Sequence, residues 1–323
     1  MDKKYDVTAL GELLIDFTEN GVSAQGNPIM EANPGGAPCN VLAMLNRLSH
    51  KTAFIGKIGR DMFGAQLKSA LDEVGIDRTG LVEDEQVHTT LAFVHTFEDG
   101  DRDFSFYRNP GADMELSVDD LNEDIIKSAK IFHFGTLSMT HDKCREATKK
   151  AIDIARESGA IISFDPNIRE PLWDDLELMR EQILYGLTKC NILKISDNEI
   201  VWLTGEESYE AGVKWIRDRY DIDLILVSLG PNGSMAYSKS SCMTVKPFLS
   251  DKTIETTGAG DTFCASVLHY VLENGLMDYS DNELRDMLTF SNAAASIVTT
   301  RKGALRVMPH KEEVLELIES CNR

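Results

Sequence analysis

The stretch Glu255–Ser266, "ETTGAGDTFCAS", puts a lone aspartate, Asp261, directly after two glycines and an alanine. Gly258 and Gly260 let backbone approach a ligand closely and permit positive φ. Phe263, Val267, Tyr270 and Val271 then recur on roughly one face, so a helix opens here. The first amides of such a helix lack intrahelical acceptors, and its dipole is positive at this end. Together they form an anion site suited to a phosphoryl group. A carboxylate beside a phosphate is unfavourable unless it has a task, and the fitting task is to take a proton from an attacking hydroxyl. The same Asp261 could simply cap the helix, and the motif alone leaves both readings open.

A second glycine cluster, "NPGGAPCN", follows an apolar strand pattern, "YDVTALGELLIDF", that ends in Asp16. A carboxylate at the C-terminal edge of a sheet can hold a pair of hydroxyls where ligands of open α/β sheets bind. Val41, Leu42, Leu45 and Leu48 have helical spacing, so a helix opens near Asn40, which could cap it. "TAFIGKIG" reads as a buried strand and "DMFGAQLKSALDEVG" as a helix closed by Gly75. This alternation predicts a mostly parallel sheet. The rhythm breaks at "TTLAFVHTF" and "RDFSFYR", two β-type runs with Asp99-Gly100 between them, a hairpin signal. The alternation then resumes with the strands "KIFHFGTLSM", "AIISFDPN", "ILKIS" and "DLILVSLG" and the helix "DKCREATKKAIDIARESG".

The 323 residues carry 33 Lys plus Arg against 53 Asp plus Glu, a net charge of −20. Such a chain is a poor partner for nucleic acid or anionic membrane, so an anionic ligand must be held by local groups. Six cysteines include no C-x-x-C pair and have no histidine cluster near them in sequence, which suggests neither a zinc site nor a disulfide framework. No 18-residue apolar run occurs and the first residues lack a signal-peptide core, so a cytoplasmic, reducing setting is expected. No repeat or linker divides the chain, and residues 1–323 are read as one domain.

The chain lacks G-x-x-x-x-G-K-[ST] and H-R-D, which excludes a P-loop or protein-kinase reading. Instead "GGAPCNVLA" running on to "FIGKIGRDMFG", and "TTGAGDTFCAS" near the other end, resemble the two characteristic stretches of the PfkB, or ribokinase-like, family of sugar kinases. "RDFSFYRNPGADM", "SFDPNIREPLW" and "KISDNEIVWLTG" look like the fructokinase branch, and the resemblance covers nearly the whole chain. It implies a three-layer α/β/α fold with a small β-strand lid inserted at about 17–32 and 88–109. It also implies ATP-dependent phosphorylation of fructose to fructose 6-phosphate, with Mg²⁺ on the nucleotide.

By the same resemblance, Asp261 is the base, and Gly258, Ala259, Gly260 and Asp261 supply the anion hole. Asp16, Gly35, Gly36 and Asn40 match sugar-binding positions, and Phe93, Phe106 and Arg108 of the lid are candidates to face the sugar. Asn167 and Arg169 match positions that meet sugar or phosphate; Arg suits bidentate phosphate contact. Lys194, Ser228, Gly230 and Gly233 fall on the nucleotide side. Asn292 falls beside adenine, or serves as a polar residue between small-residue helices. Glu199 is expected near Mg²⁺ through water, although Ser196 stands where many relatives carry Asn. Many relatives bind K⁺ beside the anion hole; Glu255, Arg301, Gly303 and Ala304 fall in that region, with Glu255 in place of the usual Asp. A lid-paired homodimer is a further expectation. Two other readings are a kinase for 2-keto-3-deoxygluconate or another ketose, with Arg108 or Arg169 on a substrate carboxylate, and a non-catalytic sugar-binding regulator. The intact Gly258, Gly260 and Asp261 weigh against the last.

Overall fold

The computed structural model describes residues 3–96 and 102–321. The chain begins β1 (Tyr5–Leu10), β2 (Leu14–Val22), β3 (Pro28–Gly35), α1 (Ala37–Arg47), β4 (Thr52–Gly59), α2 (Met62–Val74) and β5 (Asp77–Asp84). The pair β6 (Leu91–Thr96) and β7 (Arg102–Tyr107) follows. Next come α3 (Glu123–Lys127), β8 (Ala129–Gly135), α4 (Asp142–Glu157), β9 (Ile161–Asp165), α5 (Leu176–Lys189), β10 (Ile192–Ser196), α6 (Asp197–Thr204) and α7 (Tyr209–Arg217). The last elements are β11 (Leu224–Ser228), β12 (Ser234–Tyr237), β13 (Cys242–Val245), α8 (Ala259–Asn274), α9 (Asp281–Val298) and α10 (Lys311–Cys321).

Among the described residues, nine strands form one sheet in the order β13-β12-β11-β10-β9-β8-β1-β4-β5. From β11 to β5 every pairing is parallel, and β12 and β13 add an antiparallel edge. Side chains alternate between two apolar layers. Leu224 and Leu226 join the core built with α1, α8 and α9, through Leu42, Phe263, Leu268 and Leu288. Ile225 and Val227 join the opposite core with α4 to α7, through Ile152, Ile183, Ile200 and Val213. Helices therefore cover both faces, which makes three layers.

From β1 the chain winds outward in both directions, to β4 and β5 on one side and to β8 through β11 on the other. Such a reversal opens a crevice at the strands' C-terminal ends. Residues just beyond β1, β8 and β9 line it.

A separate four-stranded sheet, β3-β2-β6-β7, stands over that crevice. This changes the reading of Asp16. "YDVTALGELLIDF" is two strands, because β1 stops at Leu10 and Gly11–Leu13 carry the chain into the second sheet. Gly11 allows the crossing, since a Cβ there would lie 2.5 Å from the Pro38 ring. Asp16 thus belongs to the smaller sheet, not to the end of a large-sheet strand. The first helix also begins earlier than its apolar spacing suggests. Gly36, with φ of 127°, caps it and Pro38 fills the first turn, so Asn40 lies inside the helix and does not cap it. The expected Asp99-Gly100 turn lies outside the described residues.

Candidate functional site

The crevice is a cleft of about 460 Å³. Asp16, Gly36, Asn40, Phe106, Asn167, Arg169, Lys194, Gly258, Gly260 and Asp261 all line it, although they come from six separate parts of the chain. Glu12, Leu14, Ala37, Leu137, Thr256 and Thr257 complete the wall.

Gly258 caps α8 in the left-handed conformation, with φ of 76°. A Cβ there would lie 2.8 Å from that of Ala304, so glycine is required twice over. The amides of Gly260 and Asp261 find no acceptor among the described residues, whereas those of Ala259 and Thr262 bond to Thr256 and Gly258 carbonyls. Two donors therefore face the cleft at the positive end of a 16-residue helix. Lys194 adds a formal charge, since a Cβ on Gly260 would lie 3.3 Å from its Nζ. That ammonium is buried and pairs with Asp165 at 3.0 Å. Burial works against its charge, but Asp165 and Glu199 outweigh burial and hold it protonated.

Asp261 is not the cap of α8. Its Oδ2 accepts a hydrogen bond from Asn40 Nδ2 at 2.8 Å. Burial pushes its carboxyl above the ordinary range, while the Asn40 amide and the charges of Lys194 and Arg169 pull it back. The other end of the Asn40 amide, Oδ1, is buried and has no partner among the described residues. A buried acceptor of this kind is unfavourable unless a ligand donor meets it.

Register decides which lid residues can reach the cleft. Asp16, Ala92 and Phe106 are opposite one another across β2, β6 and β7, so they share one face. Phe17 and Phe93 are opposite each other on the reverse face, where they stack at 4.8 Å. Phe93 accordingly packs on Phe17 and Tyr107 instead of the cleft. Asp16 needs Gly35 beside it, because a Cβ at 35 would lie 2.2 Å from its Oδ2. Burial raises the Asp16 carboxyl to about 7 against the attraction of Arg169.

Arg108 is also placed differently from its expected sugar-facing position. It is 6% exposed and its guanidinium is spent on Asp113, Thr140 and the Leu137 carbonyl. It holds the floor beneath the lid. Glu199 accepts from the Ser196 amide and hydroxyl on one oxygen and from the Ile168 amide on the other. Burial alone would raise its carboxyl, but Lys194 and these amides hold it below its ordinary value. Its visible duty is to pin the turn that carries Asn167 and Arg169, where Asn167 takes a left-handed φ of 45°. Asn292 bonds to Ser234 and to the Val245 and Lys246 carbonyls, which ties α9 to the sheet edge. Ser228, Gly230 and Gly233 also lie outside the cleft wall, at the end of β11 and the turn into β12. Glu255 accepts from the Gly303 amide at 2.6 Å, so both ends of the expected cation region meet beneath Gly258. Arg301 turns to the Val307 carbonyl and Glu313 instead.

A family model described as pfkB family carbohydrate kinase matches residues 4–311. Probable fructokinase-2 of Arabidopsis thaliana is 41% identical over 320 residues, 98% of this chain and 97% of that protein. The chain belongs to the pfkB family of carbohydrate kinases. Fructokinase with bound ATP from Xylella fastidiosa superposes with a TM-score of 0.90 at 29% identity, over 99% of this chain and 100% of that one. A fructokinase double mutant from Vibrio cholerae O395, with fructose, ADP and potassium ion bound, gives a TM-score of 0.85 at 27% identity, over 98% and 99%.

Within this ribokinase-like fold, two buried acids escaped the sequence reading. Asp165 neutralises Lys194, and Glu12 accepts from the Ala37 amide at 2.9 Å, bracing the start of α1. Both lie in quoted runs, "SFDPN" and "GELLIDF", but a carboxylate at a strand end carries no signal of its own partner. Burial pushes Glu12 up to about 7 from an ordinary 4.5. The fold therefore favours its neutral form, and the stability it contributes is complete below about 4.5 and lost as pH rises through about 7. Glu12→Gln keeps an acceptor for Ala37 without the charge. Its melting temperature relative to wild type should be more favourable near pH 8 than near pH 5, by up to about 3 kcal/mol in stability. A difference that does not vary with pH would contradict the assignment.

Proposed function

We propose that this kinase transfers the γ-phosphoryl group of ATP to the 6-hydroxyl of fructose. The observation that carries the reading is Asp261, held by Asn40 at the amide-rich start of α8, in one cleft with Asp16. Asp16 and the unsatisfied Asn40 Oδ1 take sugar hydroxyls, and Phe106 covers the ring. Lid closure excludes water that would otherwise compete for the phosphoryl group. Asp261 accepts the hydroxyl proton as the new O–P bond forms. The Gly260 and Asp261 amides with Lys194 stabilise charge on the transferring oxygens. Arg169 offers a second cation on the phosphate side. Mg²⁺, when bound, neutralises the nucleotide phosphates and keeps several of its waters. Glu199 contributes by fixing the Asn167–Arg169 turn, and the β11–β12 turn with Ser228, Gly230 and Gly233 borders the nucleotide.

Fructose is favoured over an acidic sugar because Arg108, one of two arginines that could meet a substrate carboxylate, is consumed by Asp113. The reverse face of the lid exposes Val22 and Tyr107, which supports pairing of two lids in a homodimer. No helix among the described residues is long and apolar enough to cross a membrane. Together with six free cysteines, this agrees with a cytoplasmic setting.

Three outcomes are expected. A coupled assay with ATP and a panel of ketoses and aldoses should show the highest kcat/KM for fructose. In the same assay Asp261→Asn should lower turnover by roughly 10²–10⁴ with little change in binding of either substrate. Near wild-type turnover would reduce Asp261 to a structural residue. Potassium should raise the initial rate above sodium or tetramethylammonium at equal ionic strength, through the carbonyls around Glu255 and Gly303. Equal rates in all three salts would remove the cation from the account.

A further inference from the structure

Far from the cleft, the fold joins two histidines that are 219 residues apart in sequence. His50 lies just past α1, fixed by a bond from its amide to the Leu45 carbonyl at 3.0 Å. His269 lies in α8, and Glu273 stands one turn further along the same helix face. His50 Nε2 and His269 Nδ1 are 2.7 Å apart, and the three residues' ligand atoms all fall within 4.8 Å of one another.

We propose that His50, His269 and Glu273 form a binding site for a divalent transition-metal ion of the zinc type. Two imidazoles and one carboxylate suit Zn²⁺, Co²⁺ or Ni²⁺ and not the hard Mg²⁺ that accompanies ATP. Asp6 Oδ2 stands 3.7 Å from His50 Nδ1. It favours the proton on that nitrogen and leaves Nε2 bare, the arrangement by which carboxylates orient metal-binding histidines. Burial lowers both imidazoles, that of His269 to about 4, so both are neutral, as ligands must be. Without an ion, His269 Nδ1–H donates to His50 Nε2. With one, His269 shifts its proton to Nε2 and both bare nitrogens turn to the metal. Two nitrogens on a tetrahedral ion at about 2.0–2.1 Å stand roughly 3.3 Å apart, so the two nitrogens need to part by about 0.6 Å.

The surrounding charges favour entry. Asp6, Glu273 and Asp286 face the group from β1, α8 and α9, against Lys130 from β8 and Lys311 from α10. His269 and Glu273 also line a second cavity of about 410 Å³ between α8, α9 and α10, which offers room for water at a fourth position. The ion would tie the end of α1 to α8, the two helices that carry Asn40 and Asp261.

The test uses the full chain with exposed Cys242 and Cys321 changed to serine, so that thiols do not compete. Co²⁺ titration followed by visible absorption, with Zn²⁺ competition, should give one saturable equivalent. Glu273→Gln, on an exposed position, and His269→Gln should each weaken it by at least about tenfold, and Asp6→Asn by roughly 10–100-fold. Zn²⁺ should raise the melting temperature of the parent but not of His269→Gln. Mg²⁺-dependent kinase activity of Glu273→Gln should be unchanged. Less than one equivalent, or unchanged affinity in either Glu273→Gln or His269→Gln, would overturn the site.

Discussion

One hydrogen bond, from Asn40 Nδ2 to Asp261 Oδ2, joins residues 221 apart and ties together the two helices that build the candidate site. Neither partner is held by its own helix alone. Asn40 stands where it does because α1 starts at Gly36, whose Cβ would strike the Glu12 carbonyl at 2.5 Å, and because Pro38 suits a first turn. Asp261 stands where it does because Gly258 turns left-handed against Ala304. The packing of α1 on α8, through Leu42, Phe263 and Val267, brings the two together. A shift of either helix would break this contact and, on the proposed mechanism, move Asp261 relative to the sugar that Asn40 helps to hold, and positioning is most of what phosphoryl transfer asks of a protein.

Electrostatics explains how a chain of net charge −20 can hold ATP. The cleft concentrates Lys194, Arg169 and two unsatisfied amides on one side. Its acids are divided by partner. Asp165 is paired with Lys194 and the charge of Glu199 adds to its effect, which keeps that cation charged in a buried place. Asp16 and Glu12 have no salt-bridge partner among the described residues, and burial outweighs the attraction of Arg169 and Arg108 and pushes both up to about 7. Carboxylates poised in this way respond to a bound sugar or a closing lid, because each removes the water that remains around them.

Much of this was legible in the sequence, for physical reasons. Strand and helix alternation follows from periodicity, and it foretold the parallel sheet. "TTGAGDTF" announced both the bare loop and the lone acid. The misreadings also have causes. "YDVTALGELLIDF" looks like one strand because both halves are apolar, yet the break at Gly11 sends Asp16 into the second sheet. Phe93 and Phe106 look equivalent, and only the pairing of β2, β6 and β7 shows that they point to opposite faces. Arg108 and Asn292 are polar residues whose partners, Asp113 and Ser234, could not be chosen without the fold. His50 and His269 were invisible as a pair for the same reason.

The proposed catalysis rests on Asp261 as a base whose proton affinity is lowered by Asn40 against the effect of burial. The most direct test is the pH dependence of kcat, at saturating ATP and fructose, in wild type and in Asn40→Ala. Loss of the amide should move the acid limb to higher pH, because the ionised carboxylate loses a donor that favours it. An acid limb that stays in place, with the rate reduced equally at every pH, would contradict the claim that this contact tunes the catalytic base.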